Sequence, residues 1–511
     1  MGSGSFRSML VRLHRWFGLN LVIFFSLIFA SGTVLVLSDE VLAVAHPAIW
    51  VSPGRDAKPA TFGQIYAAIH AAHPAVRVGT IEPRPAPWLA DKSTATTPWG
   101  EKVVFWSDPQ TAALRDVTRF NNFREVLRKL HDSLLVPRKV PSRLAFLAVS
   151  ATGAILLFSV ISGLVAYRRF WRGFFRVPGR ALGPVGFQGG LHRLLGLWSA
   201  IFLLMIATSA VFFFLDGSVL AGVHAKRPPG TPERAQILPD GFDGLALDRA
   251  VSAAIGARRT FVPETVSLPQ RRSDAIVVAG HTDADGVLSG ETRISVDPRS
   301  LAVLGIVGPA DQPGKERLAP FFTAIHVGLF AGSASRLLWA LLGVASIYGL
   351  VSGAGLYAAR IAQRPGAEPA RGALARFLHG LGWMRWLNLA MLVGVVALAG
   401  MRVRALAHTG AVLTSENGDP GVALRVSGAL RAGRTIDLRA TLSPASAAHV
   451  EARLGTPDGA PIAQTDLKAG EDGTLAFRAV AQSGDNPVFV RVVDEAGKTT
   501  SYLFQLGRAI W

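Results

Sequence analysis

The octapeptide LHRWFGLN at residues 13–20 returns as LHRLLGLW at 191–198, each time at the mouth of a long apolar run. A chain that repeats such a motif is built from two copies of one unit, and both copies must keep an apolar run out of water. His14 and His192 are 178 residues apart, and so are His46 and His224, which follow the two runs. Each unit continues with a soluble-looking insert, a further histidine (His131, His326) and a closing run that ends in Ser-Gly and Tyr: AFLAVSATGAILLFSVISGLVAYRR and LLWALLGVASIYGLVSGAGLYAAR.

The runs at 17–38, 144–167, 194–215 and 336–358 carry almost no charge. At about 20 residues or more each, they are long enough to cross a ~30 Å hydrocarbon core. A fifth run, 386–400, is shorter. The first resembles a signal peptide in its basic start, its apolar run and its Ala43-Val44-Ala45 end, but the apolar stretch is about 21 residues, too long for that role. It also recurs in mid-chain, so it is expected to be retained.

Lys and Arg outnumber Asp and Glu by 53 to 35, a net charge of +18. The surplus clusters beside the runs: Arg7, Arg12 and Arg15 before the first, and Arg168, Arg169, Arg172, Arg176 and Arg180 after the second. Arg360, Arg364, Arg371, Arg376 and Arg385 lie between the fourth and fifth. Under the positive-inside rule these three stretches are cytoplasmic, so the charge reports topology and not nucleic-acid binding. The chain has no cysteine. That excludes disulfides, thiolate zinc sites, iron–sulfur clusters, c-type haem attachment and cysteine nucleophiles. No G-x-G-x-x-G after a strand, P-loop, H-E-x-x-H or G-x-S-x-G is present, so any electrons the chain moves come from another molecule.

The expected architecture is a membrane α-helical bundle of duplicated two-span units, four core spans plus a fifth, with two periplasmic α+β inserts and a C-terminal all-β sandwich. In order, these are residues 1–38 (cytoplasmic start and first span), 39–142 (first insert), 143–167 (second span) and 168–190 (basic cytoplasmic loop). Then come 191–215 (third span), 216–335 (second insert), 336–360 (fourth span), 361–385 (cytoplasmic loop), 386–400 (fifth span) and 401–511 (the tail). In the first insert, 62–74 has helical spacing and RVGTIEP and EKVVFWSDPQTAAL read as strands; an amphipathic helix at 123–136 leads to Pro137, Pro141 and the second span. The second insert has a helix near 246–257, and its ISVDPRSLAVL repeats the strand–Asp-Pro–strand pattern of VFWSDPQTAAL. The tail alternates apolar and polar residues in short runs such as TIDLRATL and PVFVRVV, which suggests an immunoglobulin-like sandwich without the cysteine pair.

Of twelve histidines, His14 and His192 sit at the cytoplasmic mouths of spans one and three, and His131 and His326 on the outer side before spans two and four. Imidazoles from two helices are the usual ligands of haem iron in a membrane bundle. Gly18 and Gly196, four residues after the mouth histidines, would let a flat macrocycle approach, as would Gly163 and Gly353. Arg15, Arg193, Arg143 and Arg336 repeat as well, and guanidinium pairs with carboxylates such as haem propionates. Other readings stay open. Interfacial histidines cap helices, the arginines snorkel, and His46 and His224 are alternative outer ligands. His379 echoes the mouth motif without a partner. His70, His73, His281, His408 and His449 read as surface residues, and Trp16, Trp198 and Trp339 as an interfacial belt.

HRWFGL, HDSLL, HRLLGLW and the closing SG…Y together resemble the PepSY-associated transmembrane family over residues 8–360. Within it the sequence is most similar to FoxB-type ferric-siderophore reductases of the bacterial inner membrane. The resemblance implies PepSY-like inserts and two haems b, with His14, His192, His131 and His326 as iron ligands. It further implies electron flow from a cytoplasmic or membrane donor to a ferric-siderophore on the periplasmic side. The fifth span and the tail depart from the common pattern, and the sandwich is a candidate surface for a protein partner. Membrane lipid is the expected surrounding, and no nucleic acid is expected. A PepSY scaffold or regulator that binds a peptide, and a transporter built from the two halves, are the competing classes.

Overall fold

The computed structural model describes residues 3–52, 58–73, 76–96, 102–120, 122–136, 142–167, 170–227, 229–231, 237–285, 290–362, 373–407, 411–414, 422–427, 435–442, 447–455, 460–466, 473–480, 485–494, 497 and 499–508. Pro137, Pro141, Arg168, Arg169, Arg364, Arg371 and His408 lie outside the described residues.

The first unit runs α1 (Ser3–Asn20), α2 (Val22–Val36), α3 (Ser38–Ala45), α4 (Phe62–Ala72), β1 (Arg77–Glu82), β2 (Asp91–Thr96), β3 (Lys102–Ser107), β4 (Leu114–Arg119), α5 (Phe123–Ser133) and α6 (Ser142–Ala166). The second runs α7 (Gly183–Trp198), α8 (Ala200–Gly217), α9 (Gly244–Ala257), β5 (Val262–Ser267), β6 (Ile276–His281), β7 (Thr292–Val296), β8 (Val303–Val307), α10 (Gly314–Val327) and α11 (Gly332–Ala362). Helices α12 (Ala373–Gly380) and α13 (Met384–Ala407) follow.

Among the described residues, Arg143–Ala166, Ala200–Gly217, Gly332–Tyr357 and Met384–Met401 are each long and apolar enough to cross a membrane, and the pair Phe6–Asn20 and Val22–Val36 makes a fifth crossing if counted as one. These are the helices of a multi-pass membrane protein. The expected straight first span is instead broken, with α1 and α2 meeting at 66° across Leu21. A one-residue interruption falls at the equivalent place 178 residues on, between Trp198 and Ala200. Helix α2 alone has 15 residues, about 23 Å at 1.5 Å per residue, so the end of α1 must share the crossing. A bend in a membrane frees backbone groups that need internal partners. Asn388 of α13 donates its side-chain amide to the Asn20 carbonyl at 3.2 Å, and Asn20 donates to the Trp16 carbonyl at 2.8 Å. The fifth span thus caps the bend of the first.

Phe24, Phe25, Phe29, Leu156, Phe202, Ala207 and Trp339 form the core shared by α2, α6, α8 and α11. Trp339 departs from the interfacial expectation. It is buried between Phe202 and Phe330, and its indole donates to the Ile325 carbonyl at 2.8 Å. That carbonyl lies in the last turn of α10, where helical partners run out. Trp16 and Trp198 are exposed as expected. The stretch expected as loop, 168–190, becomes helical from Gly183, where a positive φ of 69° is followed by Pro184, a favoured first helical residue.

Each insert is a helix on a four-stranded antiparallel meander, and the two meanders join edge to edge through β1 and β5. The result is one eight-stranded sheet in the order β4-β3-β2-β1-β5-β6-β7-β8. On one face Ile65, Ile69, Leu247 and Ala254 of α4 and α9 bury against Ile81, Phe105, Ile276 and Ile294 of the strands. Helices α4 and α9 cross at Gly63 and Gly244, where a Cβ on either would run into the other's carbonyl. Asp248 of α9 accepts from Gly63 N (2.8 Å) and Thr61 Oγ1 (2.7 Å), so one insert caps the helix of the other. The two Asp-Pro turns match. Asp108 Oδ1 accepts from the amides of Gln110 and Thr111, and Asp297 Oδ1 from those of Arg299 and Ser300. Ala112 and Leu301 each take a φ of 59°.

The tail is all antiparallel sheet: β9 (Ala411–Thr414), β10 (Val422–Ser427), β11 (Thr435–Leu442), β12 (Ala447–Leu454), β13 (Ala463–Asp466), β14 (Gly473–Val480), β15 (Asp485–Asp494) and β16 (Thr499–Arg508). Its sheets, β14-β11-β10-β9 and β13-β12-β15-β16, share a core of Leu424, Leu438, Phe477, Val450, Val490 and Phe504.

Candidate metal centre

Four histidines are docked onto spans, and in each the contact is made through Nδ1. His14 of α1 lies 2.9 Å from the Ser159 carbonyl of α6, and His192 of α7 lies 2.9 Å from the Gly349 carbonyl of α11. Each mouth histidine therefore rests on the closing span of its own unit. Helix α1 also packs on α11, so the element carrying His14 touches the one that receives His192. On the insert side, His131 Nδ1 lies 2.9 Å from the Ile28 carbonyl of α2, and His326 Nδ1 lies 2.8 Å from Ser209 Oγ of α8. A carbonyl can only accept, so Nδ1 of His14, His192 and His131 carries the ring proton and the lone pair resides on Nε2. That is the usual state of a metal-binding imidazole whose second nitrogen is held by the protein.

His131 and His326 come together, with ring centroids 5.9 Å apart and planes at 64°. A metal–imidazole bond of about 2 Å on each side places two ring centres about 6 Å apart across one metal ion. The pair is therefore spaced as two axial ligands would be. Among the described residues no group of three or more His, Cys, Asp or Glu side chains converges. A bare ion at this pair would lack protein ligands, whereas haem iron brings four nitrogens of its own and needs two imidazoles. The residues fit that group.

The other candidates are placed unequally. A Cβ at Gly18 or Gly196 would meet nothing within 4 Å, so both border open space. Gly163 and Gly353 instead lie against the rings of His14 and His192, at 3.3 and 3.1 Å from a built Cβ. Arg15 and Arg193 are exposed at the mouths; Arg193 donates to the Gly189 carbonyl and stands over the Tyr167 ring. Arg143 donates to the Gly217 carbonyl at 2.9 Å. Arg336 is buried. It pairs with Glu40 at 2.8 Å and also donates to the Val36 and Pro85 carbonyls, so a propionate would have to compete with these partners. His46 is tied to Asp116 at 2.9 Å within the first insert, and His224 is exposed after α8. His379 and His70 are exposed, whereas His73, His281 and His449 are half-buried beside Phe105, Glu264 and Asp466.

A family model for the PepSY-associated TM region matches residues 11–360, and again 223–506. The chain belongs to this PepSY-associated transmembrane family. No curated protein matches it. In this PepSY-associated protein, the matched region 11–360 contains all four docked histidines and both inserts.

Sequence reasoning missed three of the residues that receive the insert-side rings, Ser31, Gly32 and Ser209. A signal was there: FASGT at 29–33 carries the same Ser-Gly pair as the two closing runs. Its position in an opening run, and Ala210 in place of glycine in the second copy, hid the resemblance. Trp339 and Phe213, which flank His326 through the Ile325 carbonyl and a 5.2 Å ring contact, carried no local signal.

Proposed function

We propose that the protein is a dihaem b-type membrane reductase that takes electrons on the side of the mouth histidines and delivers them to a chelated ferric ion on the side of the inserts. The observation that carries this reading is the His131–His326 pair, 5.9 Å apart and each held at Nδ1 by a span. When bound, haem held by two imidazoles would supply one-electron chemistry. His131 and His326 would hold the group on the insert side, and His14 and His192 the one at the mouths. Gly18 and Gly196 border the open space that a flat macrocycle needs there. Arg15 and Arg193 offer exposed guanidinium groups for propionates, and Arg143 lies on the opposite side. Two centres near opposite faces divide a ~30 Å insulating layer into shorter hops.

On the insert side, one electron converts chelated Fe(III) to Fe(II), which hard oxygen donors hold far more weakly. The metal then leaves and the chelator stays intact. The substrate of this reading is a ferric-siderophore bound on the insert side, near the outer haem and between the PepSY-like inserts, a substrate class that the resemblance to FoxB-type reductases supports. The membrane is the bacterial inner membrane, with the N-terminus cytoplasmic and the inserts and immunoglobulin-like tail periplasmic. The donor is a separate cytoplasmic or membrane reductant, and the tail is a surface for a protein partner.

The test is an absorption spectrum of the detergent-purified protein, oxidised and then dithionite-reduced, with a haem-to-protein ratio. Sharp reduced α and β bands and two haems per chain are expected. His14→Ala or His192→Ala should remove one haem, and His131→Ala or His326→Ala the other. A colourless folded preparation, or four single variants with unchanged haem content, overturns the proposal.

A further inference from the structure

Each docked histidine rests on a serine followed by glycine or alanine. His14 meets Ser162-Gly163, His192 meets Ser352-Gly353, His131 meets Ser31-Gly32, and His326 meets Ser209 of Ser209-Ala210. The serine oxygens lie 3.3, 3.4, 3.5 and 2.8 Å from Nδ1. All four serines are buried. In the first three, the carbonyl that accepts the Nδ1 proton stands three residues before the serine, at Ser159, Gly349 and Ile28. Ser162 and Ser352 donate their own proton to that same carbonyl, both at 3.1 Å, and Ser31 donates to the Leu27 carbonyl at 2.7 Å with the Ile28 carbonyl 3.0 Å away. Each serine oxygen therefore faces the imidazole as a second acceptor.

The fourth case reaches the same end differently. Ser209 Oγ lies 2.8 and 2.9 Å from the Met205 and Ile206 carbonyls, and with its one proton on either of them its oxygen is free to accept from His326 Nδ1. Among the described residues it is the one Nδ1 acceptor of His326. The glycines do a separate job. A Cβ would stand 2.7 Å from the His131 ring, where the ring must shift, and 3.1 and 3.3 Å from the His192 and His14 rings, tight contacts that each ring would have to relieve by a few tenths of an ångström. Glycine costs a helix about 1 kcal/mol relative to alanine, so three glycines under three imidazoles carry a steric function.

We propose that these dipeptides are positioning residues, which lock each imidazole in the Nδ1–H form and hold Nε2 at the haem iron. The serine and the upstream carbonyl set the tautomer and strengthen the ring as a donor; the glycine lets the Cε1–Nδ1 edge of the ring come against the span. The inference rests on the dihaem reading and deepens it.

Two sets of variants of the full chain test it. Gly32→Ala should halve the haem-to-protein ratio, and Gly163→Ala and Gly353→Ala should lower it by less, in keeping with their longer built contacts. Ser209→Ala should keep both haems but raise one midpoint potential, because an imidazole without its Nδ1 acceptor is a weaker donor. Ser352→Ala should raise the other by less, since the Gly349 carbonyl remains. Glycine variants that keep both haems at unshifted potentials overturn the proposal. A second readout is independent of haem. In haem-free protein Gly32→Ala should lower the thermal midpoint, and adding His131→Ala should remove most of that loss. Wild-type protein without haem but with this coupling would remove the dihaem reading and leave the seats standing. Absence of the coupling overturns the seats, whatever the haem content.

Discussion

Replacing Arg336 with alanine is the sharpest perturbation of the fold that the structure offers. Its side chain is 7% exposed and ties the second unit to the first through Glu40, 2.8 Å away and itself 15% exposed. The guanidinium also donates to the Val36 carbonyl at the end of α2 and to the Pro85 carbonyl of the first insert. Removing one partner of a buried ion pair leaves the other uncompensated, at a cost of about 3–5 kcal/mol. Among the described residues Glu40 Oε1 already lacks a hydrogen-bond partner, so relaxation around the orphaned carboxylate has little to draw on. Glu40→Gln keeps a neutral acceptor and should cost about 1–2 kcal/mol. The Arg336→Met, Glu40→Leu double variant should recover much of the loss, because paired apolar replacements often match a buried ion pair. The assay is equilibrium unfolding in detergent followed by tryptophan fluorescence, read as a double-mutant cycle. Arg336→Ala within about 0.5 kcal/mol of wild type, the usual range of surface substitutions, would refute the clamp. So would a double variant as unstable as the sum of the singles.

Asn388→Leu should destabilise the bundle by about 1–3 kcal/mol, since the Asn20 carbonyl at the bend would lose its partner; the same unfolding assay measures it. Asp248→Ala removes the cap that one insert places on the helix of the other and should cost about 0.5–2 kcal/mol. Gly63→Ala should be worse, because the added Cβ meets the Gly244 carbonyl directly. If the insert-side haem is held by His131 and His326 at 64°, the oxidised protein should give the strongly axial low-spin electron paramagnetic resonance signal of crossed imidazole planes; a rhombic signal alone would exclude that geometry. Removal of residues 402–511 should leave haem content unchanged, as the tail supplies none of the four histidines. Loss of haem on truncation would contradict it.

Much of the molecule was legible residue by residue. Apolar length marked the spans, the repeated strand–Asp-Pro–strand pattern marked β3 and β7, alternation marked the tail strands, and the spacing of 178 paired His14 with His192. The same repeat set the break after Asn20 and the interruption after Trp198 at equivalent places, although apolar composition alone read straight through both. Local chemistry was legible too: Asp108 and Asp297 build the same turn because each carboxylate caps the next two free amides.

What only the tertiary structure decided was which surfaces meet. The join of β1 to β5, the crossing at Gly63 and Gly244, the Arg336–Glu40 clamp and the 5.9 Å approach of His131 to His326 all unite residues from different copies. Periodicity reports which face of an element avoids water, and in a membrane bundle nearly every face does. The choice of partner then falls to small residues and single buried polar groups, such as Gly32 beneath His131 or Asn388 beside Asn20, whose meaning appears only when the second helix is in place.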